Sequence, residues 1–170
     1  HVTPAEGFRP MNTLLFVALA FAIGVVAGLR SMTAPMVVAW AARFKWIDVD
    51  GTWASFLGRS VWPWLFTLLA IAELVGDQLP KTPSRTLPGP FAFRVFTGAF
   101  SGAVLAAGID EMVWFGAVAG GLGAVAGTVG GHAARVGLVK ALRVPDFAVA
   151  IPEDFLAVAG GFLILAIFFR

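Results

Sequence analysis

The chain has 170 residues, of which 59% are hydrophobic and 13% are charged, and its mean hydropathy is +0.87. Soluble domains are roughly 45–50% apolar and about 25% charged, so this composition excludes an ordinary water-soluble globule and predicts an integral membrane protein. The chain contains no cysteine, which excludes a disulfide scaffold, and its net charge of +2 without a clustered basic face excludes nucleic-acid binding.

Six apolar segments are candidates for membrane helices, since a spanning helix needs about 17 to 25 mostly apolar residues. Five of them fit a span: residues 13–29, 61–76, 96–109 extended back through 92, 112–134, and the shorter 155–169. Residues 31–42 cover little more than half of the hydrocarbon thickness at about 1.5 Å per residue. This short length predicts that the segment forms a re-entrant or steeply tilted half-helix, and a short full span is the alternative.

The expected fold is all-α, a polytopic membrane helical bundle of five spans plus one re-entrant half-helix, or six spans if residues 31–42 cross. Residues 13–170 are expected to form a single transmembrane domain after a polar tail over residues 1–12. His1 in place of an initiator methionine suggests a tag-derived residue. Residues 44–60, with several tryptophans and charges, are typical of an interfacial connector with aromatic anchors.

Two stretches of the sequence echo each other, residues 24–43 and 123–143. Each runs from a Gly/Ala-rich helix through a polar break into a second apolar stretch that ends in arginine. A repeat of three elements per half would be inverted in the membrane, as in many transporters. The alternative is coincidence, since Gly is frequent in membrane helices.

Basic residues predict the orientation of the chain. Residues 79–94 and 135–151 form loops that contain several Lys and Arg, whereas the loop at Asp110 and Glu111 contains none. Since cytoplasmic loops carry the basic excess, both basic loops are expected on the cytoplasmic side of a bacterial cytoplasmic membrane. Four prolines between residues 80 and 90 predict that the first of these loops is rigid and extended.

Acidic residues within apolar segments are candidates for a functional site, because charge in a membrane is costly and faces protein or water. Glu73 and Asp77 lie four residues apart, on one helix face. They could instead be interface carboxylates that pair with Lys81 or Arg85. Glu153 and Asp154 follow a proline, a pattern that is also typical of an ordinary helix start.

Basic and small residues complete the set of candidates. His132 and Arg135 lie on one face of the fourth long segment, where histidine could relay protons near neutral pH. Arg30 and Ser31 mark a helix break, and a break at membrane depth requires a protein cavity or water around its free backbone groups. The fourth long segment also has small residues at a spacing that permits close helix packing: Gly116, Gly120, Gly123, Gly127 and Gly131.

The order of these motifs is distinctive. It runs GLRS…TAP, then E-xxx-D-x-x-P-x-T-P-x-R from Glu73 to Arg85, then Arg94-xxx-Gly98, and last Gly-His-xx-Arg and Pro-Glu-Asp at 131–135 and 152–154. Over residues 13–169 the chain resembles the bacterial membrane family catalogued as domain of unknown function 4126. The resemblance implies that these polar positions form one set, and it supplies no activity. Gln78 stands where the family has lysine, so a role of that lysine would need Lys81.

The leading hypothesis is a small transporter or channel with an acidic intramembrane site for a cation or a charged amphiphile. The predicted binding residues are Glu73, Asp77, Arg85, Arg94, His132, Arg135, Glu153, Asp154 and Arg30. The acids favour protons, a metal ion or a cationic amphiphile, whereas the arginines could receive an anionic head group. No cofactor is expected, and the expected partners are membrane lipids, a small ion or amphiphilic solute, and a second copy in a homodimer.

Two other classes of function stay open. An intramembrane enzyme acting on a lipid or isoprenoid phosphate could use paired carboxylates as acid and base or to hold Mg²⁺. The sequence contains no metal-ligand motif of known spacing and no phosphate-binding glycine loop that would support it. A structural or assembly subunit, docked through its glycine-rich helix, is the other alternative.

Overall fold

The computed structural model describes residues 12–77 and 86–169. Within these ranges the protein is all-helical, which confirms the predicted class. The described residues form six α helices: α1 (Thr13–Leu29), α2 (Thr33–Arg43), α3 (Val61–Gly76), α4 (Pro88–Ala107), α5 (Val113–Leu142) and α6 (Asp146–Phe169). A short 3-10 helix, Ser55–Gly58, lies in the connection between α2 and α3.

In the part of the chain that the structure describes, three helices are long and apolar enough to cross a membrane, namely Pro88–Ala107, Val113–Leu142 and the part of α6 over Asp146–Ala166. The shorter helices α1 and α3 are also apolar, with 17 and 16 residues. Their limits agree with the predicted segments 13–29 and 61–76. These lengths and the composition indicate a membrane protein.

The path of α2 decides how the helices are arranged. Met32, just before α2, contacts Glu73 near the end of α3, whereas Trp40 contacts Thr67 closer to its start. The two helices are therefore antiparallel, and α3 begins at the end of the bundle opposite to the end of α1. Ile47, just after α2, lies against the C-terminal end of α4 at that same opposite end. After α2, which has only 11 residues, the connection continues to this opposite end before the chain returns in α3.

Glycine lets α1, α4 and α5 approach closely. A Cβ on Gly24 of α1 would lie 2.0 Å from the carbonyl oxygen of Gly120, and a Cβ on Gly120 would lie 2.2 Å from that of Gly98 on α4. Backbones can approach this closely only where no side chain intervenes. The predicted close packing through α5 is confirmed at Gly116, Gly120, Gly123 and Gly127.

The connection between α5 and α6 is much shorter than predicted. Residues 135–151 do not form a loop, because α5 continues to Leu142 and α6 begins at Asp146. Charged residues are compatible with a helix, and α5 ends only where Arg143 adopts the left-handed conformation with φ of 54°. Pro152 consequently lies inside α6. The expectation that Pro152 begins the last helix is wrong.

Helix α4 also begins earlier than predicted. Pro88, Gly89 and Pro90 belong to its first turn, where the missing N–H of proline has no intrahelical partner to lose. The predicted loop over residues 79–94 is therefore wrong from Pro88 onward, and Pro80 and Pro83 lie outside the described residues.

The polar break predicted within the second half of the repeat is absent from α5, which is continuous over Val113–Leu142. The break between α1 and α2 has no counterpart there, and the inverted repeat stays a prediction.

Aromatic residues collect at one end of the bundle. The connection between α2 and α3 buries Ile47, Val49 and Leu57, as a packed connector does. All six tryptophans lie in α2, in this connection, or in the first turn of α3 or α5. Tryptophan is enriched at membrane interfaces, so this end has the composition of an interface.

Candidate functional site

The site is built around the break between α1 and α2. Helix α1 ends at Leu29, Arg30 is extended with φ of −142° and ψ of 110°, and α2 begins at Thr33. At the break, carbonyl groups at the end of α1 and N–H groups at the start of α2 have no hydrogen-bond partner within their own helices. In an apolar bundle other parts of the protein must bind these groups.

Glu73 of α3 binds the N–H groups at the start of α2. Its Oε1 accepts hydrogen bonds from the backbone N–H of Ser31, at 2.8 Å, and from the Ser31 hydroxyl, at 2.7 Å. Its Oε2 accepts one from the backbone N–H of Met32, also at 2.8 Å. A carboxylate at a helix N-terminus is stabilised by the helix dipole. Glu73 thus acts as a cap supplied by another helix.

Arg94 of α4 binds the opposite side of the break. Its Nη1 donates to the carbonyl oxygens of Gly28, at 3.2 Å, and Leu29, at 2.8 Å. Its Nη2 lies 3.5 Å from Oε1 of Glu73. The hydroxyl of Thr128 on α5 lies 3.2 Å from the Gly28 carbonyl oxygen and 2.8 Å from that of Ala124, the two acceptors available to its hydrogen. A cation therefore sits at the C-terminus of α1 and an anion at the N-terminus of α2, as the two helix dipoles favour.

Arg30 binds two acidic side chains, one directly after α3 and one on α6. Its side chain is 1% exposed. Its Nε donates to Oδ1 of Asp154 on α6 at 2.5 Å, its Nη1 donates to Oδ2 of Asp77, and its Nη2 forms an ion pair with Asp154. The planar guanidinium presents donors on separate edges, which allows it to bind both carboxylates at once. Arg30, Glu73, Asp77, Arg94 and Asp154 are called the polar cluster below.

A second group of charges adjoins the polar cluster. Arg135 of α5 donates from Nε to Oδ1 of Asp146 at 2.9 Å and from Nη1 to Oε2 of Glu153 at 3.4 Å. The Asp146 side chain is 65% exposed, whereas that of Glu153 is 12% exposed. Glu153 precedes Asp154 in sequence, so α6 contributes to both groups.

The structure brings seven of the nine predicted site residues into these two groups: Arg30, Glu73, Asp77, Arg94, Arg135, Glu153 and Asp154. His132 lies half-buried on α5, and its imidazole side chain makes no hydrogen bond or ion pair with another described residue. Arg85 lies outside the described residues, as does Lys81, the alternative partner considered for Glu73 and Asp77.

Two members of the site were missed from the sequence, Thr128 and Asp146. Asp146 follows Pro145 and precedes an apolar run, which is a helix-start pattern that could have identified it. Thr128 lies in a Gly/Ala-rich stretch with no polar neighbour, and the sequence contains no signal for its contact with α1.

In this site, buried carboxylates and buried guanidinium groups pair with one another. Within residues 12–77 and 86–169, no group of three or more His, Asp or Glu side chains could hold a metal ion. Among the same residues the polar cluster contains three carboxylates and two guanidinium groups. Comparisons with protein-family models, curated proteins and solved structures found no match to this chain.

Proposed function

We propose that this protein is a small membrane transporter or channel in which the polar cluster binds a cation or a charged amphiphile. The observation that carries the proposal is the position of Arg30. This fully buried residue at a helix break binds two acids, Asp77 directly after α3 and Asp154 of α6. Ionisable residues inside membrane helices are costly and commonly mark ion or substrate pathways.

The balance of charge favours a cationic ligand. Three carboxylates and two guanidinium groups leave one negative charge in excess among the described residues of the polar cluster. A proton or a cation would compensate that charge, since an unpaired charge in an apolar environment is unfavourable. Asp77 and Asp154 are 21% and 15% exposed, whereas Arg30 is buried behind them. A ligand would therefore meet the two aspartates first.

The arrangement in the membrane is part of the proposal. In it, α2 and the residues that follow cross the bilayer, so the bundle has six crossings. The polar cluster lies at the end where α5 carries Arg135 and Lys140 and is followed by Arg143, and the positive-inside rule assigns that end to the cytoplasm of a bacterium. Membership of the family catalogued as domain of unknown function 4126 also belongs to the proposal.

Ion flux into proteoliposomes tests the proposal. Purified protein is reconstituted with an internal pH dye or an indicator for Na⁺, K⁺ or a divalent cation, and a gradient is applied. Asp154→Asn is expected to abolish the flux that wild type shows. The matched control is Asp50→Asn, which removes the same charge from an exposed ion pair with Lys45, away from the polar cluster. Equal loss in both variants, or retained flux in folded Asp154→Asn, would contradict the proposed site.

A structural role is the second candidate, and the pairing within the polar cluster favours it. Each of its carboxylates already binds an arginine, and Glu73 also caps α2. For a structural subunit, neutralising Asp154 would lower the free energy of unfolding, while wild-type proteoliposomes would show no flux of any ion tested. This combination of results would replace the transporter proposal.

A further inference from the structure

A cavity lies at the aromatic end of the bundle, away from the polar cluster. Its volume is about 350 Å³, and it lies between the end of α2 and the start of α3. Trp40, Arg43, Phe44, Ser60 and Trp64 line it. None of these residues belongs to the polar cluster or to the charge group around Arg135, so the proposed transport site leaves this cavity unexplained.

Arg43 is the charged group of the cavity. It lies in the last turn of α2 and is exposed, and its side chain makes no hydrogen bond or ion pair with any residue that the structure describes. The neighbouring Lys45, by contrast, is paired with Asp50. The guanidinium group is planar and its N–H groups match the oxygen atoms of a phosphate or carboxylate. The cavity therefore favours an anion.

Aromatic rings form the apolar wall of the cavity. The Trp40 ring is fixed by a hydrogen bond from its Nε1 to Oγ1 of Thr67, at 3.0 Å. It packs edge-on against Trp64 and is stacked on Phe44, with centroid distances of 5.2 Å in both pairs. Trp64 is 61% exposed and Phe44 is 54% exposed. A purely polar ion would leave these exposed rings uncovered, so the wall favours a ligand with an apolar part.

We infer that this cavity binds the anionic headgroup of a membrane phospholipid. The phosphate oxygens accept hydrogen bonds from the Arg43 guanidinium and from the hydroxyl of Ser60. Ser60 precedes α3, and its side chain makes no capping hydrogen bond that would compete. The glycerol and the first acyl carbons lie on Trp64 and Phe44. Tryptophan at this level is typical of the headgroup region of a bilayer, where such a lipid is present.

Native mass spectrometry and thermal unfolding in a neutral detergent test the inference, with phosphatidylglycerol as the probe. Arg43→Gln is expected to weaken lipid binding about tenfold or more, because a hydrogen-bonded charge pair is lost. The matched control is Arg59→Gln, which removes an exposed arginine that does not line the cavity. Its affinity for phosphatidylglycerol is expected to equal that of wild type. Equal affinities in wild type and Arg43→Gln would overturn the inference.

Two further measurements test the role of the guanidinium group and distinguish a lipid headgroup from a soluble phosphate. Arg43→Lys keeps the charge but loses the planar pair of donors, so an affinity between those of wild type and Arg43→Gln is expected. This variant also serves as the test if Arg43→Gln does not fold. Sodium phosphate without lipid is expected to leave the unfolding temperature unchanged. Stabilisation by sodium phosphate that depends on Arg43 would assign the cavity to a soluble phosphate compound and overturn the lipid assignment.

Discussion

Replacing Arg30 by methionine is expected to be the most destabilising single substitution in the polar cluster. Methionine keeps a long unbranched side chain but removes the charge and all of the donors. The carboxylates of Asp77 and Asp154, both held by Arg30 in the wild type, then face each other without their shared cation. The like charges repel, and both carboxylates lose hydrogen bonds in a largely desolvated position.

The size of the expected loss of stability follows from the burial of Arg30 and its two partners. Arg30 is fully buried, and its two partners are only 21% and 15% exposed. Removing one partner of a buried ion pair typically costs about 3–5 kcal/mol, because it leaves an uncompensated charge. We expect a loss in this range for Arg30→Met. Asp77→Asn should cost less, about 1–3 kcal/mol, because Arg30 keeps its bonds to Asp154.

Unfolding by sodium dodecyl sulfate in mixed micelles, followed by tryptophan fluorescence, measures these differences in the free energy of unfolding. Lys45→Met is the matched control, since it removes a cation from an exposed pair with Asp50 and should cost less than about 1 kcal/mol. The triple variant Arg30→Met/Asp77→Asn/Asp154→Asn should regain part of the lost stability, because it leaves no unpaired charge. An Arg30→Met protein as stable as the Lys45→Met protein would refute this reasoning.

Three other comparisons between variants test the packing and the pairing. Gly120→Ala places a Cβ 2.2 Å from a backbone oxygen of α4 and should lower the free energy of unfolding by about 1–3 kcal/mol, whereas Gly137→Ala, on the same helix with open space around it, should not lower it. Glu73→Gln keeps one acceptor oxygen of two and should cost about 1–3 kcal/mol, more than Ser31→Ala, which removes one donor. Asp146→Asn should cost less than about 1 kcal/mol, since this acid is exposed.

The same unfolding assay measures all of these variants, and each comparison can fail. Equal effects of Gly120→Ala and Gly137→Ala would show that α4 and α5 do not pack through glycine. A Glu73→Gln protein as stable as wild type would show that α2 does not depend on the carboxylate cap. A loss from Asp146→Asn as large as that from Asp77→Asn would contradict the distinction between exposed and buried pairs.

Local patterns predicted those features that depend on neighbours along the chain. The limits of α1 and α3 were predicted to the residue, because a charged or strongly polar residue adjoins each end of these apolar runs. The end of α5 and the start of α6 were not, because charged residues between 135 and 154 were taken as signs of a loop. A charged residue such as Arg135 is tolerated in a helix, whose end depends on backbone conformation, here that of Arg143.

The sequence by itself determined the membrane composition and identified most of the charged residues of the site. This was possible because the cost of placing charge in an apolar environment is independent of the fold. The partners of those charges were decided by the tertiary structure. Sequence proximity offered only Lys81 and Arg85, which lie outside the described residues, as partners of Glu73, and it gave no sign that Glu73 caps α2. Arg30 and Asp154 are 124 positions apart in the chain and share a hydrogen bond. Only the packing of α6 against α1 and α2 brings them together, because pairing across the bundle depends on which helix faces meet.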